Sequence, residues 1–131
     1  MKNLFIVFLI LLLSYSCSND EIGKWDDNIK LSQKEFQFDS KQNSAIITTE
    51  GEGWWISEIY SDKGQTYDFS DTDTTIKNFV IINPDFKLER KNATEISITM
   101  FENQTNSERT LKIGLQAGNY FDGIKIIQSA D

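Results

Sequence analysis

The side chains that carry most protein chemistry are scarce in this chain of 131 residues. It contains no histidine, so neither a Ser-His-Asp triad nor a Cys-His pair can be assembled. Its one cysteine, Cys17, has no intrachain partner, and without histidine the usual zinc ligand sets are missing as well. No glycine motif for cradling phosphate is present. The loop Asp68-Phe69-Ser70-Asp71-Thr72-Asp73 gathers carboxylates of the kind calcium favours. No glycine or glutamate follows at the spacing of an EF-hand loop, so a solvated acidic loop is expected, with no metal and no cofactor. A carboxylate pair for glycoside hydrolysis would need a cleft, and a small domain offers little room for one. The expectation is a protein without enzymatic activity.

What remains is aromatic. Trp54 and Trp55 are adjacent, and neighbouring residues of a strand point to opposite faces. With Trp54 and Ile56 toward a core, Trp55 faces outward. An aromatic ring has an apolar face on which the C–H side of a sugar can stack. The other reading buries Trp55 under a neighbouring loop or edge strand, since large aromatics are mostly covered. Tyr60, Tyr67 and Tyr120 are further candidates for the same surface, with Phe121 beside the last.

Strands must position these residues. Phe36 and Phe38 alternate with Gln37 and Asp39; Ile96, Ile98 and Met100 alternate with Ser97 and Thr99; Leu111, Ile113 and Leu115 alternate with Lys112 and Gly114. This period of two marks half-buried strands. Strands are predicted near 34–39, 44–49, 54–60, 65–69, 78–82, 85–90, 94–101, 108–116 and 122–128, with turns at Gly118-Asn119 and Asp122-Gly123 among others. The stretch from Tyr67 to Lys77 is the least regular and reads as a loop. Pro84 ends or bends the strand before it, because it cannot donate to a ladder. The spacing of the strands predicts an all-β sandwich or barrel over residues 29–131.

The N-terminus has a different character. Lys2 precedes the unbroken apolar run Leu4 to Leu13, and small or polar residues lead into Cys17. This is the layout of a secretory signal over residues 1–16, too short to span a bilayer core of roughly 20 residues. The stretch Leu13-Ser14-Tyr15-Ser16-Cys17 resembles a lipobox, with Ser16 at the small position and Ser14 where leucine is usual. The resemblance implies cleavage after Ser16 and diacylation of Cys17, an anchor of at least two chains that holds stably to a membrane. Residues 17–28 are then the lipidated cysteine and a polar tether. Asp20 and Glu21 resemble the acidic signal that sends Bacteroidetes lipoproteins to the outer cell surface; a plain soluble linker would look the same.

Charge narrows the partners. The chain carries 13 basic and 20 acidic residues, and the acidic ones all lie beyond Cys17. Such a surface repels phosphate backbones, so nucleic acid is excluded as a partner and membrane contact is left to the lipid.

Several residues together resemble the Bacteroidetes-associated carbohydrate-binding, often N-terminal (BACON) domain. They are Trp54 with Ile56, Asn103 at a turn, Arg109 opening the next strand, and Ile124, Ile126 and Gln128 closing the last. The resemblance covers roughly residues 29–130. It implies an immunoglobulin-like β-sandwich of about 7–9 strands and a carbohydrate- or mucin-binding role. With the lipobox and the Asp20-Glu21 signal, the expectation is a lipoprotein of the outer membrane facing outward. In structural terms Asn103 suits a turn, and Arg109 and Gln128 suit the satisfaction of backbone groups at strand ends. The competing expectation is an accessory subunit of an envelope complex whose partner meets an edge strand or apolar patch. Asp73-Thr74-Thr75 also resembles a short bacterial O-glycosylation motif, and Asn92-Ala93-Thr94 and Asn103-Gln104-Thr105 fit the N-glycosylation pattern.

Overall fold

A computed structural model describes residues 25–131. The expected signal segment 1–16, Cys17 and residues 18–24 of the expected tether lie outside the described residues. Within them the chain forms eight strands and no helix. These are β1 (Glu35–Phe38), β2 (Asn43–Thr48), β3 (Trp55–Ser61), β4 (Phe79–Ile82), β5 (Phe86–Lys91), β6 (Glu95–Met100), β7 (Arg109–Ala117) and β8 (Tyr120–Gln128). They build two four-stranded sheets in the orders β1-β8-β7-β3 and β2-β6-β5-β4. All pairings are antiparallel except β1 with β8, which is parallel. The chain crosses between sheets from β1 to β2, β2 to β3, β3 to β4 and β6 to β7, giving the shuffled order of an immunoglobulin-like sandwich.

The inward residues are those the alternation selects. Ile96, Ile98 and Met100 of β6 face Leu111, Ile113 and Leu115 of β7, joined by Ala45, Ile47, Phe86, Leu88, Ile124 and Ile126, all buried. A fully buried isoleucine or leucine contributes about 1.5–3 kcal/mol, so this single layer supplies the main driving force. Among the described residues, every member of the core cluster lies between Ile29 and Ile126. The Asp27 carboxylate accepts from the Ile29 and Lys30 amides, and those bonds hold its pKa below the usual range.

The strand expected at 65–69 does not form. One bridge, Tyr60 to Thr66, ties this segment to β3, through the Ser61 amide on the Gln65 carbonyl and the Tyr67 amide on the Ile59 carbonyl, with the Gln65 amide also donating to Ser61 Oγ. Beyond it, Asp68 and Asp73 accept from the amides of Ser70 and Thr75, so short Asx turns take over the backbone. The expected turn at Asp122-Gly123 is also absent, because β8 already begins at Tyr120 after the Gly118-Asn119 turn. Gly118 supplies the positive φ, 60°, that this turn requires. Pro84 follows the end of β4, where the Asn83 side chain accepts from the amides of Asp85 and Phe86 and turns the chain into β5.

Two buried polar groups lock the sandwich together. Trp54 is 1% exposed, its Nε1 donates to Thr49 Oγ1 at 3.0 Å, and Arg90 lies 3.7 Å above its ring. At the other end Gln128 donates to the carbonyls of Lys41 and Phe101 and accepts from Arg109 Nε at 2.7 Å. Arg109 also donates to the Phe101 carbonyl and pairs with Asp85 at 3.2 Å. Asn103, wholly buried, donates to the Ser107 and Ser129 carbonyls and accepts from Thr105. Among the described residues no buried side-chain nitrogen or oxygen lacks a partner.

Candidate functional site

The site is built on the outer face of the sheet β1-β8-β7-β3. Register decides which side chains meet there. The two-residue turn at Gly118-Asn119 pairs Ala117 with Tyr120, and the ladder that follows sets Gln116 opposite Phe121, Gly114 opposite Gly123 and Lys112 opposite Lys125. On the other side of β7, Trp55 pairs with Gln116, Glu58 with Gly114 and Tyr60 with Lys112. Three parallel rows result: an aromatic row of Trp55, Gln116 and Phe121; a glycine row with Glu58 beside it; and a basic row of Tyr60, Lys112 and Lys125, continued by Glu35 of β1.

Successive rows are two residues apart along β7 and β8, about 7 Å at the usual rise, while the bulged β3 uses three residues from Trp55 to Glu58. The middle row has no side chains on β7 or β8, so the surface dips. The hollow has a volume of about 190 Å³ and is lined by Glu58, Tyr60, Lys112, Gly114, Gly123 and Lys125 among others. A β-bulge between Ile56 and Glu58 presents both Ser57 and Glu58 outward over Gly114. A Cβ on Gly114 would lie 2.8 Å from both Glu58 Cγ and Ser57 Oγ, so this glycine lets the bulge close down on the sheet. At Gly123 the backbone has no special conformation, and a Cβ would sit 3.4 Å from the Ile113 carbonyl, an ordinary strand contact.

Phe121 is 62% exposed; Trp55 and Tyr60 are half-buried. Lys112 Nζ stands 5.6 Å from the Tyr60 ring centroid, a cation–π approach that steadies both groups. The face thus offers apolar rings on one side, backbone in the middle, and a carboxylate and two ammonium groups able to bond hydroxyls. Such a face can offer stacking and hydrogen bonding to one ligand at once.

Of the candidate residues, Trp55 and Tyr60 share this face, with Phe121 beside them. Tyr67 and Tyr120 do not. Tyr67 packs edge-on against Phe86 at 5.2 Å and donates to Asp85 at 3.0 Å, at the far end of the sandwich beside Arg109. Burial, with the Asp85 bond, pushes its phenol up to about 12. Tyr120 is in register with buried Ala117, so parity turns it inward; it packs on the core and donates to Asp122 at 3.1 Å. Burial and that bond push its phenol to about 12 as well. Glu58, Lys112, Lys125, Gly114 and Gly123 were not singled out from sequence. The signal available was a glycine inside each of two strand patterns, which marks a bulge or a close approach.

The other sequence features resolve into structure. Thr74, the central residue of the O-glycosylation motif, is buried with its hydroxyl bonded to the Ile56 backbone, and Asn103 is buried too, so neither is available for modification in the fold. Asn92 is exposed in the β5–β6 turn. Asp68, Asp71 and Asp73 are each engaged in local hydrogen bonds of the acidic loop.

No family model matches the sequence, and no curated protein matches it. Among solved structures the chain is similar to an NMR structure of a protein from Bacteroides thetaiotaomicron, with a TM-score of 0.64 and 21% identity, over 88% of this chain and 98% of that one. It also aligns with a GH5 xyloglucanase of Bacteroides ovatus in complex with a XXXG heptasaccharide, at a TM-score of 0.48 and 18% identity, over 79% of this chain and 19% of the enzyme. The titin M3 domain aligns at a TM-score of 0.47 and 6% identity, over 75% of this chain and 88% of that domain. What the chain shares with the B. thetaiotaomicron protein is the fold, over nearly the whole length of both.

Proposed function

We propose that this protein is a non-catalytic, membrane-tethered glycan-binding domain of the BACON type, with the outer face of β1-β8-β7-β3 as its binding surface. The observation that carries the reading is a glycine-floored hollow lined by the polar row, with the aromatic row one register step away on the same exposed sheet face. A sugar ring stacks on Trp55 or Phe121, and its neighbour descends toward the Gly114 and Gly123 backbone. Glu58 accepts from ring hydroxyls, and Lys112 and Lys125 donate to ring oxygens. Diacylation of Cys17 holds the domain on the outer membrane, directed outward. Many tethered copies on one surface compensate for weak individual sites through effective concentration.

The test is a glycan array probed with the soluble chain from residue 18, beside Trp55→Ala. Specific binding that the variant loses supports the reading. A folded protein that binds no glycan defeats it.

A second reading has its own observation. β4 is an edge strand, and Val80 and Ile82 stand exposed on it at 43% and 66%, with Ile76 at 48% just before it. An uncovered apolar edge suits strand addition by a protein partner in an envelope complex. Cross-linking in cells from a photoreactive residue at position 80 tests this; a specific envelope-protein adduct, absent in Ile82→Lys, would favour it.

A further inference from the structure

We infer that the sugar held on this face carries an anionic group, a carboxylate or a sulfate, seated against Lys112 and Lys125. This rests on the glycan reading above and narrows its ligand class.

The two lysines are direct cross-strand partners in the β7–β8 ladder, side by side on one face. Like charges directly opposite each other destabilise a sheet. Neither lysine has a carboxylate within ion-pair distance among the described residues, in a chain with 20 acidic residues against 13 basic ones. Glu35 is registered beside Lys125 but does not close on it; of the two carboxylates lining the hollow, Glu58 makes no ion pair with either lysine and Asp122 pairs with Lys34. Lys30, Lys34, Lys41, Lys87 and Lys91 each pair with a carboxylate. Lys63 and Lys77 also lack one but lie outside the strands, so what sets Lys112 and Lys125 apart is that they are unpaired cross-strand neighbours. An uncompensated pair of cations at the rim of a hollow is what an anion from outside would complete.

The geometry fits a sugar anion better than a small ion. From the aromatic row to the lysine row spans two steps of about 7 Å. That is the reach of a disaccharide with one ring on Trp55 or Phe121 and the next over the glycines. The exocyclic group of the second ring then meets the lysines, where charge-assisted bonds form. The Lys112–Tyr60 contact keeps one ammonium from swinging into solvent. The net charge of −7 opposes long-range attraction of anions, so discrimination arises at contact.

The experiment is isothermal titration of the soluble chain from residue 18 with three tetrasaccharides on one ring type: neutral galactan, its carboxylated form galacturonan, and sulfated galactan. Lys112→Gln, Lys125→Gln and the double variant are run alongside, with Lys87→Gln on the opposite sheet as control and circular dichroism to confirm folding. The expected result is at least tenfold tighter binding of one or both anionic forms. The double variant and added salt should erase that preference, and Lys87→Gln should leave it intact. Whether galacturonan or sulfated galactan binds tighter distinguishes carboxylate from sulfate. Neutral galactan bound as well as both anionic forms, unaffected in the double variant, overturns the inference while the glycan reading stands. Binding of none of the three, nor of any array glycan, overturns both.

Discussion

Replacing Arg90 by Met should cost this fold about 3–4 kcal/mol. Arg90 is 1% exposed. Its Nε donates to the Ala93 carbonyl at 2.9 Å, Nη2 to Glu52 at 2.6 Å and Nη1 to Trp54 at 2.8 Å, with longer approaches from Nη1 to Ile76 and Thr74 at 3.2 and 3.4 Å. The guanidinium therefore ties the β2–β3 connection, the loop entering β4 and the β5–β6 turn to one point. Burial draws its pKa below the usual value, yet an arginine remains charged. Methionine fills much of the same volume and removes the buried charge, which is favourable in itself. It also leaves three short-bonded carbonyls without a donor, at about 1 kcal/mol or more each, and ends the cation–π contact with Trp54, worth about 0.5–2 kcal/mol. For a domain of this size each kcal/mol lowers the melting temperature by about 4–8 °C. Arg90→Lys keeps the charge over Trp54, but one ammonium cannot reach all three carbonyls; about 2 kcal/mol is expected. Urea unfolding at constant m-value measures both. A loss below about 1 kcal/mol for Arg90→Met would refute the reasoning, since it would mean that water or a small shift satisfies the carbonyls equally well.

Gly51→Ala should destabilise by about 2–3 kcal/mol, because its Cβ would lie 2.0 Å from the Asn28 carbonyl oxygen. An unchanged melting temperature would show that the 27–31 segment yields without loss. Tyr67 and Tyr120 should ionise near 12, whereas in the unfolded chain a phenol ionises near 10.0. Between those values the folded state binds more protons, so the stability these groups lend is complete below pH 10 and is lost as pH rises toward 12. Ultraviolet titration of the phenolates checks this, and ionisation of both near 10 in the folded protein would contradict it. Gly123→Val should leave stability within about 1 kcal/mol, as valine suits a strand, while filling the hollow and removing glycan binding. Retained binding in the folded variant would move the site elsewhere.

Much of the architecture was legible before any coordinates. The alternation Ile96-Ile98-Met100 and Leu111-Ile113-Leu115 is a local property with one solution, apolar residues inward, and it placed β6 and β7 with the correct faces. Trp54 and Ile56 inward with Trp55 turned away followed from the same parity. The segment at 65–69 misled because its composition suits a strand, yet whether a strand forms depends on a partner, and aspartate turns claim this backbone instead.

The candidate site was legible only in fragments. Aromatic residues could be noticed, but whether they share a face depends on register between strands far apart in the chain. Parity within one strand separates Tyr120 from Phe121; only the β3–β7 pairing brings Trp55 into one row with Phe121, across Gln116. The same is true of Gly114 and Gly123, unremarkable singly and a hollow when opposed, and of Lys112 and Lys125, which nothing in sequence sets side by side. Arg90 reads as an ordinary strand charge, and only the closing of three segments around Trp54 buries it. Composition and periodicity are short-range, so they determined the absence of histidine chemistry, the charge and the strand faces. Register and sheet packing are sums over distant contacts, and they decided which side chains meet.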